Sequence, residues 1–143
     1  MDTRSLRRPR RRGTMVAWPY DGMTQAPTHF NPERPNPVPG KDQSRWGYPV
    51  TLQLGRPAAS RDSSRHYRVT MTLFEGNRNR NRNNKRAVDC HFSSPELPSN
   101  PEHAPKRTYC LIPKRRLASG KTYTVVARFS DDDSELVWQF TTK

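Results

Sequence analysis

From Lys121 to Thr142 the chain places an apolar residue at nearly every second position. Tyr123, Val125, Ala127 and Phe129 alternate with mostly polar neighbours, and so do Leu136, Trp138 and Phe140. Successive side chains leave a strand on opposite faces, so each run can turn one apolar face toward a core. The intervening Ser130–Ser134 stretch, SDDDS, is polar and of hairpin length. The end of the chain therefore reads as a β-hairpin.

The same period recurs upstream. Thr14–Pro19 reads as a first, edge-like strand with Val16 and Trp18 on one face, and Asp21-Gly22 as a turn. Trp46–Leu54 is a second strand, with Val50, Leu52 and Leu54 in phase and Pro49 near its start, where a missing donor is tolerated. His66–Phe74 is a third, Ala87–Phe92 a fourth and Arg107–Ile112 a fifth, ended by Pro113. Two stretches lack any period. Ala26–Gly40 holds five prolines and reads as an extended surface connection, as does Ser93–Lys106. About seven short strands at this spacing predict an all-β antiparallel sandwich.

Composition adds where the charge sits. The net charge is +13. Residues 1–13 carry six Arg and one Asp, and residues 77–86 four Arg and one Lys, so each run holds +5 and the remainder only +3. Residues 1–13 are expected to form a disordered Arg-rich tail, and residues 14–143 the folded domain. The Asn/Arg run 77–86 is expected to be an expanded hairpin loop. Its Arg78, Arg80, Arg82, Lys85 and Arg86 are candidate contacts for a polyanion such as nucleic acid or an acidic glycan, although no aromatic residue is interleaved for base stacking. The alternative is an insertion tolerated at a loop tip. No stretch approaches the roughly 18 apolar residues of a membrane span, and the N-terminal arginines are not followed by the apolar core of a signal peptide.

Chemistry is sparse. Cys90 and Cys110 fall in the fourth and fifth strands. If those strands are neighbours the thiols are candidates for a disulfide, which would close a loop of about 20 residues and stabilise by roughly 3 kcal/mol. The alternative is two buried free thiols. Cys90, His91, His103 and Cys110 lack the paired spacing of zinc ligands, and Asp131–Asp133 with Glu135 lack that of a calcium loop, so no metal and no cofactor is expected. Neither a nucleophile elbow nor a phosphate loop nor a zinc-protease motif is present. The expectation is a non-enzymatic module.

Several segments carry a family likeness. WPYDGMTQAP resembles the P-x-D-G-x-T-x-x-P opening of bacterial Ig-like domains. With GYPVTLQL, VDCHFSSPELPSN, YCLIPKRRLASGKTYTV and VWQFTT, it resembles the Ig-like module found beside CAP (SCP-like) domains in bacterial surface proteins, over residues 16–142. The resemblance implies an Ig-like or fibronectin-III-like sandwich, an extracellular or cell-surface location, a spacer or adhesion role, and as partners a neighbouring CAP-like domain or a surface protein or glycan. It also implies that Cys90 and Cys110 pair. No catalytic residue comes with it. Two departures stand out. Neither a CAP domain nor a signal peptide is read in these 143 residues, and the NRNRNRNNKR run is extra.

Overall fold

The structure, a computed structural model, describes residues 14–55, 68–77, 86–103, 107–130 and 133–143. Its elements are β1 (Met15–Trp18), β2 (Val50–Leu54), β3 (Val69–Glu75), β4 (Arg86–Ala87), β5 (Cys90–Ser93), β6 (Thr108–Pro113), β7 (Thr122–Phe129) and β8 (Glu135–Thr141), with short 3₁₀ turns at Gln43–Arg45 and Pro101–His103. The strands form two four-stranded antiparallel sheets, β1-β2-β6-β5 and β4-β3-β7-β8. Lettered in chain order this is A-B-E-D facing C′-C-F-G, the strand order of an Ig-like sandwich.

The terminal hairpin supplies seven of the seventeen buried residues of the main core. Tyr123 lies opposite Phe140, Val125 opposite Trp138 and Ala127 opposite Leu136, and all six are buried. The rings of Tyr123 and Phe140 stack at 5.7 Å. Directly opposed apolar pairs of this kind are the units that stabilise a sheet. The facing layer comes from Val50, Leu52 and Leu54 of β2 and Tyr109 and Leu111 of β6. The apolar positions expected to face inward in the hairpin and in β2 are all buried, although β2 starts at Val50 and not at Trp46, and Thr124, on the other face of β7, is buried as well. Asp21-Gly22 forms the expected turn, with Gly22 at φ +84, a backbone conformation open to glycine.

Where the strands break departs from the expectation. Eight strands are present among the described residues. The single fourth strand expected at Ala87–Phe92 is two: Arg86–Ala87 pairs with β3 in one sheet, and Cys90–Ser93 pairs with β6 in the other. The chain crosses between sheets at Val88 and Asp89, and alternation alone does not reveal a crossing. In β1 Val16 and Trp18 share a face as expected, and it is the outward one, while Met15 and Ala17 pack on the core. The residues 1–13 expected to be a tail, and most of the 77–86 run, lie outside the described residues.

Two features of the chain path shape the surface of the sandwich. After Trp18 the chain leaves β1 and runs along the free edge of β8. Gly22 N–H donates to Gln139 O (2.8 Å), Thr141 N–H to Met23 O (2.8 Å) and Ala26 N–H to Thr141 O (3.0 Å), with a parallel bridge from Ala26 to Thr142. This occupies an edge that would otherwise invite pairing with another chain. The proline-rich strap that follows does more than connect. It lies over the outer face of the β1-β2-β6-β5 sheet, where Phe30, Trp46 and Ile112 form a second small core with Val38 and Cys110 against it. The strap is tied to the loop after β5 by Ser99 Oγ donating to Pro37 O (2.6 Å) and Asn100 Nδ2 to Asn36 O (2.8 Å).

The corner between β6 and β7 is closed by Tyr123, whose hydroxyl accepts from Ala118 N–H at 2.8 Å. A tyrosine at the start of the F strand that bonds back to the preceding corner is the tyrosine corner of Ig-like sandwiches. Tyr123→Phe should lower folding stability by about 1 kcal/mol, and Phe129→Ala by about 3–5 kcal/mol. Urea denaturation with an unchanged slope would show that each loss is one of stability alone.

Candidate functional site

β3 ends at Glu75, β7 begins at Thr122 and β6 ends at Pro113, and these ends meet at one pole of the sandwich. Glu75, Val88, Asp89, Lys114–Ala118 and Tyr123 line one recess there, and Glu75–Asn77, Arg86 and Gly120–Thr122 another. Pro113 and Leu117 are buried anchors, and between them Lys114, Arg115 and Arg116 are all exposed. Lys121 and Arg86 are exposed beside them. Five cations thus stand at one pole, accompanied by Glu75 and Asp89.

The corner that carries these cations is held from several sides. Lys114 N–H donates to Asp89 O (2.9 Å), Gly47 N–H to Pro113 O (2.9 Å) and Leu117 N–H to Thr28 O (2.8 Å). A Cβ on Gly47 would stand 2.6 Å from the Arg115 carbonyl, so only glycine permits this approach. The Lys114 ammonium lies 3.4 Å from the Asp89 carboxylate, both of them solvent-exposed. Exposed pairs of this type contribute little to stability, and Lys114 stays accessible. The arrangement suits attraction of an anion, whose charge the cluster can neutralise with release of counterions.

Of the residues singled out from the sequence for anion binding, Arg86 stands at this pole, directly across from Glu75. Arg78, Arg80, Arg82 and Lys85 lie outside the described residues, but Asn77 and Arg86, which flank them, are both at this end. Lys114, Arg115, Arg116 and Lys121 were missed. The signal for the first three was a run of cations directly after a proline-ended strand; Lys121 stands apart from it.

The expected Cys90–Cys110 disulfide is not formed, and both thiols are free. The register explains why. Ser93, not Cys90, lies opposite Cys110, and Cys90 lies opposite Pro113. An odd offset of three residues puts the thiols on opposite faces of the sheet and about 10 Å apart along it. Cys90 packs on the main core and Cys110 on the outer one. Burial pushes each thiol up to about 12, the Asp89 carboxylate adding to the effect at Cys90 and Glu33 at Cys110. Thiols held protonated in this way are poor nucleophiles. His91, on the outer face, stacks edgewise on Trp46 at 5.3 Å. Among the described residues no group of three or more His, Cys, Asp or Glu side chains gathers as for a metal ion.

A cleft of about 500 Å³ separates the strap from the sheet, with Phe30, Ile112 and Cys110 in its walls beside Pro35, Pro37 and Asn100. Asn100 and Ser99, two of the polar residues that line it, spend donors on strap carbonyls. The cleft is a seam between two layers of one domain. No helix among the described residues is long and apolar enough to cross a membrane. No protein-family model matches the chain, and no curated protein or solved structure is significantly similar to it.

Both thiols should resist a disulfide reagent in the native state and react in denaturant. A thiol whose ionisation is raised by folding adds stability that is complete below the unfolded value, near 8.5, and is lost as pH climbs toward 12. The urea midpoint should therefore fall above pH 9, and fall less steeply in the Cys90→Ala/Cys110→Ala double variant.

Proposed function

We propose that the chain is a non-catalytic Ig-like module acting as a spacer or adhesion domain of a bacterial surface or secreted protein. One observation carries the reading: the domain receives and delivers its chain at opposite poles. Thr14 stands beside Gly55, at the end of β2 (Gly55 N–H to Thr14 O, 2.6 Å). Lys143 accepts from Gly120 N–H (2.7 Å), at the start of β7 and the basic pole. The length of the sandwich, about 25 Å for strands of seven or eight residues, lies between. Units joined to the two ends are thereby kept apart, which is what a spacer requires. The motif likeness to modules beside CAP domains supports the same reading, with an extracellular setting and a CAP-like neighbour, a surface protein or a glycan as partner.

A second reading is favoured by the basic pole. A rigid corner presenting Lys114, Arg115 and Arg116 next to Lys121 and Arg86, at the mouth of the Asn/Arg run, fits a polyanion-binding surface.

Two measurements separate them. With residues 14–143 inserted between two fluorescent proteins, a spacer should give one narrow population of energy transfer at a fixed separation. A broad population, or reporters lying side by side, would remove that role. Under the second reading, affinity for duplex DNA or heparin should fall steeply with salt. Replacing Lys114, Arg115 and Arg116 by Gln should then flatten the dependence on DNA by about two to three in log–log slope. Absence of binding at physiological salt would remove the polyanion role.

A further inference from the structure

A second exposed surface lies where β1 ends. Val16 is 54% exposed, Trp18 42% and Tyr20 50%. The Trp18 and Tyr20 rings sit 5.6 Å apart at 58°, forming an open corner. The Trp18 indole N–H donates to the hydroxyl of Tyr48 at 2.8 Å, and Tyr48 in turn packs its ring on the main core. Trp18 is therefore presented on a strand and steadied by a hydrogen bond to a ring fixed in the core. Exposed aromatics held in place in this manner mark interaction sites.

We propose that Trp18 and Tyr20, steadied by Tyr48, form a binding platform for a neutral pyranose sugar that stacks its C–H face on the rings. The area points to a small ligand. Three aromatic or apolar residues exposed to this degree offer about 300 Å², whereas a stable protein interface needs about 800 Å² per partner. The charge points to a neutral one. Val16, Trp18, Thr51 and Gln53, the outward residues of β1 and of the strand beside it, carry no charge. The mode of contact follows from the indole. Its N–H is already committed to Tyr48, which leaves the π face as what Trp18 has to offer. That face is electron-rich and attracts the polarised C–H bonds of a sugar ring whose one side bears no axial hydroxyl. The hydroxyl of Tyr48 accepts from the indole and keeps its own proton to donate to the ligand.

This gives a ligand class to the adhesive half of the proposed function and rests on it. The spacer measurement does not involve the platform, so either can fail without the other.

The test titrates the full chain with a hexamer of β-1,4-linked glucose and one of β-1,4-linked N-acetylglucosamine, reading the three indole N–H resonances. The expected result is a saturable shift at Trp18, with Trp46 and Trp138 unmoved. The affinity should be the same at about 50 and about 500 mM salt, unlike binding at the basic pole. Trp18→Ala and Tyr20→Ala should each weaken it about tenfold or more. Tyr20→Ala guards against misfolding of the Trp18 variant, and Trp18→Phe should retain part of the affinity. The proposal is overturned if neither hexamer moves the Trp18 resonance up to about 10 mM. It is equally overturned if folded Trp18→Ala and Tyr20→Ala bind as the parent does, or if only a proline-rich peptide or an acidic sugar shifts Trp18.

Discussion

The indole of Trp138 ties the two ends of the chain together. Its ring is fully buried between the sheets, and its N–H donates to the carbonyl of Pro19 at 2.9 Å, across 119 residues of sequence. An N–H in a dry core costs free energy unless it finds an acceptor. Pro19 supplies one at the point where the chain leaves β1. The same turn brings Asp21, whose carboxylate accepts from Gln139 N–H at 3.1 Å, and then Gly22 and Ala26 onto the edge of β8. One satisfied polar atom thus coincides with the closure of the sandwich and the covering of an exposed sheet edge.

Both surfaces follow from that closure. Leaving β1 at Pro19 sets Tyr20 beside Trp18, which the alternation of β1 already turns outward, so both rings stand exposed at the corner. It also starts the strap on a path over the outer face of the sheet, where Thr28 meets Leu117 and Gly47 meets Pro113. Those two contacts brace the loop that carries Lys114 to Arg116. The aromatic corner and the basic pole are built from different strands and recognise different chemistry, one by ring faces and the other by charge.

The hairpin was legible because alternation is a local property, and Tyr123, Val125, Phe129, Trp138 and Phe140 record it without reference to partners. The strap was not. Phe30 and Val38 reach the outer core singly from a stretch without period, and Trp46, expected to open the second strand, lies ahead of it and packs in the outer core instead. The thiols were misjudged for a related reason. Cys90 and Cys110 do occupy neighbouring strands, but which faces they share depends on register, and an odd offset reverses the answer. Register is set by β5 meeting β6 across a long proline-rich loop. The candidate site was half legible. Charge in the Asn/Arg run is plain in the sequence, whereas its proximity to Lys114–Arg116 depends on strand ends that only topology brings together.

Hydrogen exchange of the three indole protons tests the closure most directly. With Trp138 sealed and bonded to Pro19, its N–H must be the slowest, exchanging only as the whole domain unfolds, while the half-exposed Trp18 exchanges orders of magnitude sooner. A Trp138 proton as fast as that of Trp18 would mean that the sandwich is not closed around it.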